Sequence, residues 1–136
     1  EVNLPRGVVG GLAKSDHDVY RAPFPDPASR RPMLAWAREY PLQGEPADVV
    51  EVVLGYDRWM AGTPDVPKLL MAVENGVGLG SPEMIGWAAG NFASVEVESV
   101  GPGGHQTPED QPEAIGTAVA RWLRRHALTT APTMAS

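Results

Sequence analysis

Two short stretches constrain what this chain can fold into. "VPKLLMAV" (66–73) is an apolar run after a proline, as a buried parallel strand would be, and it leads directly into the glycine-rich "ENGVGLG" (74–80). "SVEVESV" (94–100) alternates apolar and polar residues and leads into a second such loop, "GPGGHQTPEDQ" (101–111). A helix signal follows each loop. Ser81-Pro82-Glu83 starts one helix, ending near Asn91; Pro112 opens another, with Ile115, Val119, Trp122 and Leu123 as its apolar stripe. Upstream, "EPADVVEVVLGYDRWMAGT" (45–63) has Pro46 at a helix start and Val49, Val53, Tyr56 and Met60 on one face. Residues 46–126 therefore read helix–strand–loop–helix–strand–loop–helix, the alternation of an α/β fold with a parallel sheet. Two parallel strands are too few for a stable sheet, so further strands are expected from elsewhere.

Residues 1–45 do not continue that alternation. "EVNLPRGVVGGLAK" (1–14) lacks periodicity, and Gly10-Gly11 interrupts any helix there. "SDHDVY" (15–20) offers Ser15 as an N-cap with Asp18 at the third helical position, and Pro23 and Pro25 end that helix. "DPASRRPMLAWARE" (26–39) reads as a turn followed by a helix entered at Pro32; "YPLQGEP" (40–46) reads as a loop. The expected organisation is a helical excursion over 1–45, an α/β portion over 46–126 and a disordered tail over 127–136.

Charge and composition exclude several function classes. A net charge of −6 argues against a nucleic-acid partner, which requires a basic face. No apolar run approaches the roughly 20 residues of a membrane span, and no signal peptide is legible. The absence of cysteine rules out a thiol nucleophile, a disulfide framework and thiolate metal sites. No histidine pair has metal-ligand spacing and no dinucleotide or Walker fingerprint is present, so neither metal nor cofactor is expected. A cytoplasmic protein is the expectation. Fourteen prolines and 15 glycines are many for 136 residues of complete small domain.

In an open α/β sheet, functional groups collect in loops beyond the carboxyl ends of the strands. His105 stands in such a loop, with four of the five residues before it glycine or proline. A histidine there can act as a general base near neutral pH, or be an idle surface residue. His17, on a polar helix start, reads as solvated; His126, in a last helical turn, suits the helix dipole. Glu109 and Asp110 precede a helix and most simply satisfy its free amides. Glu74 follows a strand and could be a triad acid or a loop residue; Trp36 could be core. No G-x-S-x-G elbow occurs, nor any serine or aspartate at a credible strand-to-helix turn.

Three segments carry a resemblance: "YRAPFPDPASRRPMLAWAREYPLQGEPADVV" (20–50), "VPKLLMAVENGVG" (66–78) and "GGHQTPEDQPEAIGTAVARWL" (103–123). Together they resemble the haloalkane dehalogenases of the α/β-hydrolase superfamily, in order and nearly without gaps from Leu4 to Leu123. The R-x-P-F segment, the basic-then-Trp cap helix, P-K-L and the G-x-H-x-x-x-E-D-x-P-x-x-I-G ending are specific in combination.

The resemblance implies a C-terminal half: the later helices of an inserted cap plus the last two strands of an eight-stranded sheet. In that family an aspartate displaces halide, and a histidine-activated water hydrolyses the resulting alkyl-enzyme ester. His105 matches the histidine. One branch carries its triad acid at a position falling on or beside Val77; the other places a glutamate earlier, upstream of this chain. "ENG" resembles the "EPG" of the second branch, so Glu74 becomes a loop residue, and the acid, the nucleophile and both main halide donors are expected outside this sequence. Trp36 and Ala37 match the pair beside the halide, Val77 and Leu79 the tunnel mouth, and Gly7 and Val8 cap positions facing the tunnel. The implied partners are a small halogenated alkane and the missing N-terminal half, or a complementing chain. Ala37 in place of proline, Gln106 in place of phenylalanine, and Gly10-Gly11 depart from the pattern. The alternatives are an inactive truncated chain, an epoxide or ester hydrolase sharing the histidine loop, and a luciferase-type monooxygenase with a similar ending.

Overall fold

The computed structural model describes residues 3–74 and 80–128. Four helices come first: α1 (Asn3–Arg6), α2 (Lys14–Arg21), α3 (Arg31–Arg38) and α4 (Ala47–Gly62). Strand β1 (Lys68–Glu74), helix α5 (Pro82–Asn91) and strand β2 (Val95–Pro102) follow, then a single turn α6 (Thr107–Asp110) and the final helix α7 (Pro112–Arg125). The expected order over 46–126 is present, with α6 as an added turn inside the histidine loop.

Local chemistry sets most of these bounds. Pro46 precedes the first turn of α4, where a missing N–H is harmless, and Pro32, Pro82 and Pro112 lie in the first turns of their helices. Ser81 caps α5, its hydroxyl accepting from the Met84 amide at 3.4 Å. The expected cap at Ser15 is not used. Helix α2 starts two residues earlier with Ala13 as N-cap, and Asp18 instead receives the Lys14 ammonium one turn back. That i,i+4 pair lies on the exposed side of a short helix and contributes little.

β1 and β2 pair in parallel, Lys68 opposite Val95 through Ala72 opposite Ser99. The register then slips, so that Glu74 pairs with Pro102; Gly101, at φ 93°, lies within the slipped stretch of β2. Helix α5 makes the crossover, and both α5 and α7 pack on β2. The buried side chains at these contacts are small: Ala88 of α5, Ala118 of α7 and Val100 of β2. Alanine lets each helix approach the sheet closely. The stripe expected on α7 (Ile115, Val119, Trp122, Leu123) flanks Ala118 and is half-buried.

The alternation of β2 has an outcome the pattern did not suggest. Its acidic residues are turned to α7 and pair with basic residues near that helix's carboxyl end. Arg121 bonds Glu98, Arg125 lies 2.6 Å from Glu96, and the His126 ring bonds Glu96 as well. His126, and then Arg125, hold the Glu96 carboxyl below the usual carboxylate range. Val97, between the two glutamates, is exposed. The face expected to be buried on α4 is also open: Val53 and Tyr56 are exposed, Val49 and Met60 half-buried.

Among the described residues the one buried charge is at the start of β1. Lys68 directs its ammonium at the carbonyls of Thr63 (2.9 Å), Val66 (3.0 Å) and Ala93 (2.8 Å), with the Trp59 ring 5.3 Å away. One cation thus joins the end of α4, the approach to β1 and the approach to β2. Lys68→Met keeps the aliphatic stem but leaves three carbonyls without a donor, and should cost about 2–4 kcal/mol of unfolding free energy in denaturant titration. Lys68→Arg should not restore it, because a planar fork cannot address three converging carbonyls as a point donor does.

Candidate active site

His105 lies where the sequence placed it, three residues past the carboxyl end of β2, with an exposed side chain. The glycines before it are required by close approach. A Cβ on Gly103 would come within 2.9 Å of the Val73 side chain on β1, and one on Gly104 within 2.3 Å of the Gly7 carbonyl oxygen. Sheet and amino-terminal segment therefore press on the loop from two directions, and at Gly104, where the neighbour is backbone, only a residue without a side chain fits.

Four hydrogen bonds fasten that junction. The Gln106 amide donates to the Gly7 carbonyl at 2.8 Å. Asp110 accepts from the Gly104 amide through Oδ2 at 2.7 Å, and through Oδ1 from the amides of Val9 (2.8 Å) and Gly10 (3.2 Å). The Gly104 bond, helped by those of Gly10 and Val9, holds the Asp110 carboxyl below its usual range. Close by, the Tyr20 hydroxyl of α2 donates to Glu109, which raises the phenol's pKa. Glu109 and Asp110 thus do something other than the helix capping expected of them: both reach across to the first twenty residues.

Between α1, α2, α3 and the loop lies a cavity of about 590 Å³. Leu4, Phe24, Met33 and Trp36 give it apolar walls, and His17, Tyr20 and His105 add polar groups. His105 and Trp36 therefore share one cavity, although Trp36 is 76% exposed in this chain. Ala37, next along α3, is exposed and outside that lining. Gly7 and Val8 are buried, and Gly7 backs onto the loop: a Cβ there would lie 3.1 Å from Gln106 Cγ and 3.4 Å from His105 Cβ. Val77 and Leu79 lie outside the described residues. Glu74 ends β1 with an exposed side chain. His17, read from sequence as solvated, is half-buried on the cavity wall. Its position midway along a polar helix gave no hint of that. Among the described residues no cluster of histidines and carboxylates could hold a metal ion, and no helix is long and apolar enough to cross a membrane.

The two parallel strands, the histidine loop beyond them and the short helices beside it match a portion of the α/β-hydrolase fold of solved haloalkane dehalogenases. The chain is homologous over most of its length to haloalkane dehalogenases. It is 40% identical over 120 residues to the haloalkane dehalogenase of Mesorhizobium japonicum and 42% identical over 120 residues to that of Bradyrhizobium diazoefficiens, in each case 88% of this chain. The solved haloalkane dehalogenase DbeA of Bradyrhizobium elkani superimposes with a TM-score of 0.87 at 37% identity, covering 95% of this chain and 44% of that one. The chain spans 38% of the length of the two sequence relatives. No protein-family model matches it.

The glycine contacts yield a graded expectation. Gly104→Ala drives a methyl into backbone and should cost about 1–3 kcal/mol in chemical denaturation. Gly103→Ala meets side chains rather than backbone, chiefly that of Val73, which can turn aside, and should cost less. Equal costs would show that the Gly7 contact is not the tighter one.

Proposed function

We propose that the protein carrying this chain hydrolyses carbon–halogen bonds of small halogenated alkanes, with His105 as the base that activates water. The observation that carries this reading is the sharing of one mainly apolar cavity by His105 and Trp36. An alkyl chain entering such a cavity gains about 0.8 kcal/mol for each methylene removed from water. An imidazole at its edge can take a proton from a water held there.

The reaction divides into two steps. A carboxylate oxygen attacks the halogen-bearing carbon; the carbon–halogen bond breaks, a carbon–oxygen ester bond forms and halide departs. Water then adds to the ester carbonyl as His105 removes its proton. Collapse releases the alcohol and regenerates the carboxylate, and His105 returns its proton to solvent, so that alkyl halide and water yield alcohol, halide and a proton. Trp36 flanks the departing halide in this reading, and Gly7 and Val8 form the cap side. Residues 1–45 act as part of the cap and 46–126 as part of the core.

The nucleophile and its triad acid belong to a further part of the fold, in the same polypeptide or a complementing one. The open apolar faces support this. Val53 and Tyr56 on α4, Val97 on β2 and Trp36 on α3 are exposed. A parallel sheet is ordinarily covered on both faces. A cytoplasmic setting accompanies this reading.

His105→Ala in the intact native polypeptide should release halide once per active site at an undiminished rate and then stop, with mass spectrometry finding the alkyl adduct. Steady turnover should fall by at least about 10²–10⁴-fold. Continued multiple turnover in that variant would remove His105 from the second step, and a wild-type protein that releases no halide would remove the activity altogether.

A further inference from the structure

We propose that Asp110 is a positioning residue for His105, and that the Glu109–Asp110 pair makes the seating of the amino-terminal segment and the seating of the histidine loop a single event. The proposal rests on the reading of His105 as the water-activating base. It concerns how that base is held.

Gly104 is bonded directly to His105, and both of its backbone polar groups are committed. Its amide donates to Asp110 Oδ2 at 2.7 Å, and its carbonyl accepts from the Thr107 hydroxyl at 2.9 Å. The two peptide planes leading into His105 are therefore each tied to α6. Those ties fix the direction in which the His105 Cα–Cβ bond leaves the loop. The next residue is held as well, because the Gln106 amide is bound to Gly7.

The second oxygen of Asp110 takes the amides of Val9 and Gly10, residues about one hundred positions away in sequence. A helix-capping acid would spend its oxygens on the first amides of α7, whereas every described partner of Asp110 lies in the histidine loop or the amino-terminal segment. A carboxylate suits this arrangement because both oxygens only accept. An amide in its place would turn an NH₂ group toward one of the two sets of backbone N–H donors. The lowered carboxyl pKa agrees with an anion serving three donors. Glu109 adds a second tie of the same direction, receiving the hydroxyl of Tyr20, a cavity residue on α2. A shift of the amino-terminal segment is thus transmitted through α6 to the loop that bears the base.

The test is single-turnover and steady-state kinetics of the intact native polypeptide and its Asp110→Asn variant, with a bromoalkane as probe. Ester formation does not use His105, so the first-turnover halide burst should keep its amplitude and stay within about threefold of wild type. Hydrolysis of the ester should slow on the order of 10–100-fold, the usual penalty for a catalytic group displaced by about an ångström. Burst and hydrolysis falling together, or neither changing, would overturn the proposal. If Asp110→Asn fails to fold, Thr107→Val loosens the other face of Gly104 and should show the same selective loss; a uniform loss, or none, overturns it equally.

Tyr20→Phe combined with either variant should be non-additive in the hydrolysis rate, and strict additivity would refute a single seating event. His105→Ala keeps the two readings separable. A wild-type protein without any halide burst sinks the dehalogenase reading, and the positioning claim is then judged by NMR of the His105 ring. Its resonances should shift or broaden in Asp110→Asn; unchanged resonances would sink that claim too.

Discussion

The contact between the Gly104 and Gly7 backbones is the constraint on which the site depends. With the Gly7 carbonyl occupying the place of a Gly104 Cβ, the histidine loop and the amino-terminal segment meet with no side chain between them. Such an approach brings polar backbone groups together in a partly enclosed space, where each needs a partner. Gln106, Thr107 and Asp110 supply those partners, and all three stand within five residues of His105. The loop composition that looks permissive in sequence is in fact a consequence of crowding.

The core is correspondingly divided. Within the described residues the buried apolar side chains are few and small, namely Val8, Ala88, Val100 and Ala118, and much of the larger apolar surface is open. What orders the chain locally is the β1–β2 ladder, the alanine contacts of α5 and α7, and the Lys68 ammonium at the three carbonyls where helix and strands converge. Large apolar residues on α3 and α4 contribute little to the packing within this chain, and their exposure is the structural counterpart of a match that spans 38% of each of the two sequence relatives.

The α/β portion was legible from the sequence because its signals are local. A run of four to eight apolar or alternating residues, a glycine-rich loop and a proline at a first helical turn each declare themselves within a short window, and β1, α5, β2 and α7 all carry them. The family resemblance and the place of His105 were legible in the same way. Ser15 misled because serine and aspartate three apart form a cap only if the helix begins there, and here the helix begins at Lys14. The roles of Asp110, Glu109 and His17 were not legible at all. Their partners or cavity neighbours lie far off in sequence, 101 positions in the case of Asp110 and Val9, and no periodicity encodes a contact of that range. An acid just before a helix looks the same whether it caps that helix or holds a distant loop.

The attachment of α7 to β2 has a consequence of another kind. It relies on carboxylates facing guanidinium and imidazole groups that remain partly open to solvent, with the Arg121 and Arg125 side chains about half exposed. Attractions of that sort weaken as ions crowd around them, whereas the strand ladder and the enclosed Lys68 ammonium are sheltered from the surrounding electrolyte. Two fastenings of opposite salt response therefore hold the same small sheet. In a brine, the last helix would loosen its grip while the strands beneath it stayed paired, so the ionic composition of the medium sets how firmly this part of the molecule is closed.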